Sequence, residues 1–199
     1  MKISILLPYK ENFSPIYPGA VSLFVKDTSN ISKYKKNIIV YGNTNYKKIF
    51  PIRYFNINLS NFKFQSKSKQ YVEKFIKLEK EKPSDIIEVH NRPNYLSSII
   101  KSLGKKNLVL YFHNDPLTMT GSKSINERKY LLKNCYKIIF NSNWSKKRFL
   151  EGMHDKFVNS EKLLVVFQSA QKLKVNIKKK KKHITFVGKL NKSKGYDIF

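Results

Sequence analysis

Seven short apolar segments, at 3–7, 37–41, 52–57, 85–89, 107–112, 137–140 and 163–167, constrain the fold most. Several are apolar without alternation, as in Ile86-Ile87-Glu88-Val89 and Leu108-Val109-Leu110-Tyr111-Phe112. A strand so composed is buried on both faces, as in a parallel sheet. Between these segments lie stretches with helical spacing or helix-start signals, at 19–34, 65–82, 93–103, 122–134 and 142–151. In the second, Tyr71, Phe75 and Leu78 recur at i, i+4 and i+7 with Lys and Glu opposite, the pattern of a helix laid on a sheet. Pro93 suits the first turn of the third helix, Ser142 suits the cap of the fifth, and Trp144 reads as a core residue. Strand and helix alternating over short links predict an α/β, Rossmann-like, doubly wound and mostly parallel sheet. Ligands of such sheets bind beyond the C-terminal strand ends, near the point where the strand order reverses.

The charge is the second constraint. Forty Lys and Arg face 13 carboxylates, a formal balance of +27 in 199 residues, yet 41% of the chain is apolar and 14% aromatic. That composition excludes a disordered polycation. Two readings of the charge stand side by side: a footprint for a polyanion, and compositional drift in a chain where Lys outnumbers Arg 36 to 4. Recognition of bases and phosphates favours the planar fork of Arg, which supports drift. Helix-turn-helix, zinc-finger and RNP signatures are all missing, so no specific nucleic acid is expected. A lone Cys135 excludes a disulfide framework and fits a cytoplasmic location. The apolar run at 3–7 stops at Pro8, too short for a signal-peptide core, and no run approaches the ~20 residues of a membrane span.

Residues 172–194 hold ten Lys and no acid, including Lys178 to Lys182. Like charges at that density repel one another and read as a solvated linker. The expected organisation is a Rossmann-like domain at 1–170, a basic linker at 171–183, and at 184–199 the start of a truncated second domain, with Ile184 to Val187 as its first strand.

The loops after the strands carry the chemistry. Gly19 opens a helix after the first strand, where free N–H groups and the helix dipole favour an anion. Neither Gly-x-Gly-x-x-Gly nor a Walker lysine is present. Val89-His90-Asn91-Arg92-Pro93 and Phe112-His113-Asn114-Asp115-Pro116 each set a His-Asn pair just past a buried strand, with Pro three residues after the His. Two such loops at neighbouring strand ends are expected to converge on one crevice. His, Asn and Asp suit sugar hydroxyls, and no hydroxyl nucleophile is paired with a base. No metal is expected, since the chain lacks His-x-x-x-His on a helix. Glu127 and Arg128 read as surface or helix-packing groups, and Asn141 to Ser145 as a site wall or a cap.

Gly19-Ala20, Asp85 to Asn91, His113-Asn114-Asp115-Pro116, Glu127-Arg128 with Leu131-Leu132, Ile138 to Trp144, and Phe186-Val187-Gly188-Lys189-Leu190 with Lys194-Gly195 together resemble glycosyltransferase family 4. These are retaining enzymes of GT-B architecture, with two Rossmann-like domains facing a cleft. The resemblance runs the length of the chain and implies its N-terminal, acceptor-side domain. It implies that His113, as the catalytic position, touches the transferred sugar. By the same resemblance Gly19, Lys189 and Lys194 meet the donor diphosphate, while His90, Asn91, Arg92, Asn114 and Asp115 line the sugar and acceptor side. The implied donor is a nucleotide diphosphate sugar without metal or other cofactor. The implied acceptor is a bacterial cell-surface polysaccharide, lipopolysaccharide or other glycolipid, met at the inner face of the cytoplasmic membrane. Lys189 stands where the family usually has Arg, and one Gly stands where many members have two. The family's two glutamates, seven residues apart in the C-terminal domain, fall beyond residue 199, so the chain is expected to be inactive alone. The alternatives are a glycan- or glycolipid-binding remnant and, behind it, a basic nucleic-acid-binding protein.

Overall fold

The computed structural model describes residues 1–60, 65–104, 107–154 and 157–168, with Thr185, Phe186, Lys192, Gly195, Asp197 and Ile198. Seven strands form one sheet: β1 (Ile3–Leu6), β2 (Ile38–Gly42), β3 (Tyr54–Asn56), β4 (Ile86–His90), β5 (Asn107–Phe112), β6 (Lys137–Phe140) and β7 (Leu163–Val165). Their order is β3-β2-β1-β4-β5-β6-β7 and every pairing is parallel. Five helices connect them: α1 (Ala20–Ile31), α2 (Lys67–Glu81), α3 (Tyr95–Leu103), α4 (Ile125–Asn134) and α5 (Asn143–Leu150). The order reverses between β1 and β4, which fixes where a crevice opens.

The two faces of the sheet carry two apolar layers. Ile3, Ile5 and Leu7 pack with Ile38, Val40 and the Val21 and Val25 face of α1. Leu6, Ile87, Val89, Leu108, Leu110 and Ile138 pack on the other face with α2, α3, α4 and α5. Helices therefore cover both faces, one on the first and four on the second. α2 contributes Tyr71, Val72, Phe75 and Ile76, and the Tyr71 hydroxyl donates to the carbonyls of Leu7 (3.0 Å) and Tyr41 (3.1 Å).

Two buried charges tie helices in place. Glu79 of α2 is 2% exposed; its carboxylate accepts from Ser4 Oγ on β1 and from Ser84 N (3.0 Å) and Oγ (2.7 Å), with Lys2 Nζ 4.0 Å away. A buried carboxylate is tolerable only with such partners. Arg128 of α4, 3% exposed, donates to the carbonyls of Phe149 and of Glu151 (2.7 Å), which closes the end of α5. Its neighbour Glu127 completes a capping box with Ser124 at the start of α4.

Ser142 does cap α5, accepting from Ser145 N. Two local expectations are corrected. Trp144 is 58% exposed rather than core: α5 buries Ser145 and Phe149, and Trp144 falls off that stripe, beneath the Arg148 guanidinium at 5.9 Å. Pro93 lies ahead of the first turn of α3, which starts at Tyr95 behind Asn94. By contacts the chain divides into a compact unit at Met1–Gln168 and a second at Ser169–Phe199. In the second, Gly195 has φ +70° and its N–H donates to Lys192 O at 2.9 Å. The expected linker at 171–183 and the strand at 184–187 lie outside the described residues, apart from Thr185 and Phe186. Among the described residues no helix is long and apolar enough to cross a membrane.

Candidate functional site

The two His-Asn loops meet. β4 ends in His90 and β5 in Phe112, one residue before His113, and the parallel register sets His90 beside Tyr111. His90 Nδ1 lies 2.9 Å from His113 Nε2, with the rings nearly parallel. Asn91 enables this approach. It sits at φ +53°, a left-handed conformation that Asn tolerates better than most residues. From there its N–H donates to Tyr111 O (2.8 Å) and its Oδ1 accepts from His113 N (2.8 Å). Asn141, just past β6, donates through Nδ2 to His113 O at 2.9 Å. Three adjacent strand ends are thereby stitched around one imidazole.

The hydrogen bonds assign the tautomers. Gln168 Nε2 lies 2.6 Å from His113 Nδ1, and an amide N–H can only donate there. His113 then carries its proton on Nε2 and donates to His90 Nδ1. His90 in turn carries its proton on Nε2. That atom is buried without a hydrogen-bond partner, 3.7 Å from Glu88 Oε2. The result is a directed row from Gln168 through His113 and His90 toward Glu88. Tyr111 stacks on His90 with ring centroids 4.6 Å apart, and Phe24 of α1 meets His113 edge-on at 5.0 Å. Burial, with His90 adding to it, lowers His113 from 6.5 to about 3, so the imidazole is neutral at physiological pH. The group offers hydrogen bonding to a ligand, not charge.

The remaining expected residues are placed as follows. Arg92 Nη1 turns back to Asn91 O at 2.7 Å. Asn114 is exposed. Asp115 caps the following turn, accepting from Leu117 N (3.0 Å), and its other oxygen pairs with Arg148 at 3.3 Å. Gly19 precedes α1 as expected, but the place in front of that helix is filled from within. Glu11 Oε1 accepts from Ser22 N (3.0 Å) and Ser22 Oγ (3.2 Å). A Cβ on Gly19 would stand 1.9 Å from the same oxygen, so the close approach that the glycine permits is taken up by Glu11. Lys189 and Lys194 lie outside the described residues. No group of three His, Cys, Asp or Glu suited to a metal occurs among the described residues.

Sequence reasoning passed over Glu88, Phe24, Glu11 and Gln168. Glu88 alone left a signal, as the one acid inside an otherwise apolar strand. The other three reach the site through tertiary packing from distant parts of the chain.

No family model matches the sequence, and no curated protein matches it. Among solved structures, HepE of Anabaena, crystallised in complex with UDP, matches over 84% of this chain and 44% of its own, at TM-score 0.52 and 17% identity. A glycosyltransferase from Rickettsia africae matches over 84% of this chain and 43% of its own, also at TM-score 0.52 and 17% identity. The likeness is one of fold: the chain has the Rossmann-like architecture of one half of these molecules and spans less than half their length.

Proposed function

We propose that the chain is the acceptor-side domain of a retaining GT-B glycosyltransferase that takes a nucleotide diphosphate sugar and a glycan or glycolipid acceptor. The observation that carries the reading is the hydrogen-bonded pair of imidazoles beside the switch point of a sheet whose fold is that of a glycosyltransferase half. His113 Nδ1, where the Gln168 amide now donates, is the atom that would accept from a hydroxyl of the transferred sugar. A neutral, oriented acceptor positions a sugar without a charge that water would compete for. Asn91, Arg92 and Asn114 flank it on the acceptor side, with His90 setting its tautomer and Asp115 its loop.

As the bond to the leaving diphosphate breaks, negative charge grows on the phosphates, so cations and helix N–H groups stabilise the transition state more than the ground state. Lys189 and Lys194 would serve there, and the start of α1 at Gly19 would join them only once the Glu11 carboxylate that now fills it swings away. The complex of HepE with UDP supports a nucleotide donor. An acceptor of the cell-surface polysaccharide or lipopolysaccharide class, at the inner face of the cytoplasmic membrane, would also use the +27 charge, each Lys near an anionic leaflet adding about 1 kcal/mol.

The 199 residues alone are expected to hold ligand without turnover. The test is incubation of the purified chain with labelled nucleotide sugars and a panel of glycan and lipid acceptors, beside His113→Ala. Transfer by the chain alone overturns the first expectation. Nucleotide-sugar binding that is unchanged in His113→Ala overturns the site.

A further inference from the structure

Three of the four groups in the row through His113 can face either way. A neutral imidazole carries its proton on either ring nitrogen, and an amide turned over offers its oxygen where its N–H groups stood. Gln168, His113 and His90 are therefore consistent with a row that runs in either direction. The fourth group is different, because an ionised carboxylate only accepts. Glu88 is the one member able to give the row its direction.

Its surroundings fit that task. Residues 86, 88 and 90 share one face of β4, so Glu88 and His90 are neighbours on a strand held between β1 and β5. In the register Glu88 lies between Ile5 and Val109, both buried. Among the described residues no Lys or Arg pairs with it, in a chain that holds 40 of them. Facing it is the other incomplete group: His90 is 1% exposed, and its Nε2 is buried without a hydrogen-bond partner, 3.7 Å from Glu88 Oε2. That distance is too long for a hydrogen bond, yet the sign of the field is set. Nε2–H turns its positive end to the carboxylate, whereas the other tautomer would set a lone pair against it where little water screens the repulsion. Tyr111 stacks flat on the His90 ring at 4.6 Å, so its hydroxyl lies out of the plane in which Nε2 points.

We propose that Glu88 is a positioning residue that polarises the row and so keeps a bare lone pair on His113 Nδ1. The consequence is selectivity: that nitrogen accepts from a hydroxyl or an amide and repels groups that only accept, such as a phosphate or carboxylate oxygen. With a nucleotide sugar as ligand, His113 would take the sugar and leave the phosphates to other groups, a use that rests on the function proposed above. The direction of the row does not rest on it and is measured without ligand. Long-range ¹H–¹⁵N correlations of the imidazole rings, in the ¹⁵N-labelled full chain at about pH 7.5, report which nitrogen carries the proton. In the native chain both rings should be protonated on Nε2, by about tenfold or more over Nδ1. Glu88→Lys, whose ammonium only donates, should reverse both rings to Nδ1–H. Glu88→Gln, close in size and able to face either way, should raise the minor form about fivefold, and it suffices alone if the lysine variant fails to fold. Gln168→Ala should leave the direction as it is. A Glu88 that only filled space would alter stability in these variants and leave the tautomers unmoved. Rings that keep Nε2–H in the Glu88 variants, a mixture in the native chain, or a direction lost in Gln168→Ala would each overturn the proposal. A chain that binds no nucleotide sugar would overturn the transferase reading and leave this measurement untouched.

Discussion

Acidification should weaken this protein through one imidazole. His113 is lowered from 6.5 to about 3 in the fold by burial and by His90 beside it. In the unfolded chain it titrates near its ordinary value, so between the two values the unfolded state binds the extra proton and stability falls as pH falls. Below the lower value no further loss comes from this group. At about pH 5 the loss integrates to roughly 2 kcal/mol relative to about pH 7.5, or some 4–8 °C in Tm for a domain of this size. The structural reason is local: protonating Nδ1 sets two N–H groups against each other at the 2.6 Å contact with Gln168. Glu88, on the far side of His90, is too distant to compensate. Carboxylates add their own acid losses, so the informative quantity is a difference. The stability of the native chain minus that of His113→Gln, from urea unfolding at the two pH values, should shrink by about 2 kcal/mol on acidification. An NMR titration of the His113 ring gives the same answer directly. A difference that stays constant with pH, or a ring that titrates near 6.5, would refute the reasoning.

Gly19→Ala should expel the Glu11 carboxylate from the start of α1 and cost about 1 kcal/mol, and Glu11→Ala should cost about the same. Because both remove one interaction, the double variant should cost little more than either alone, and additive losses in thermal unfolding would rule the coupling out. Cys135 is buried, which raises its thiol to about 12. Iodoacetamide at about pH 8 should therefore label it only when the chain is unfolded, and labelling of the native chain at the rate of a free thiol would contradict the packing.

The architecture was legible because its signal is repeated along the chain. Each of the seven expected strands exists; Leu108 to Phe112 is largely buried on both faces, whereas Ile86 to Val89 alternates, with Ile86 and Glu88 half-buried between Ile87 and Val89 in the core. Edge strands were overextended: β3 covers Tyr54–Asn56 where 52–57 was expected, and β7 covers Leu163–Val165 where 163–167 was expected. A strand with a neighbour on one side only has fewer pairings to lengthen it. The meeting of His90 with His113 followed from their positions at adjacent strand ends. The row's direction did not, since it is read from Gln168, 55 residues from His113 along the chain. Trp144 misled because its size suggests core, while a helix buries by angular position.

The Glu79 carboxylate on α2 has a reach longer than its hydrogen bonds. Apolar faces alone tolerate sliding, because one branched side chain fills a gap nearly as well as another. A turn's displacement of α2 would instead strand a carboxylate away from Ser4 and Ser84 in the interior, so this single group indexes the helix against the sheet. Twelve residues earlier on the same rigid rod, about 18 Å away, Lys67 borders a cavity among the loops after β1, β2 and β3. The carboxylate at one end of α2 thus acts as a gauge block for the cavity wall at the other, whose dimensions become sensitive to a residue that does not line it.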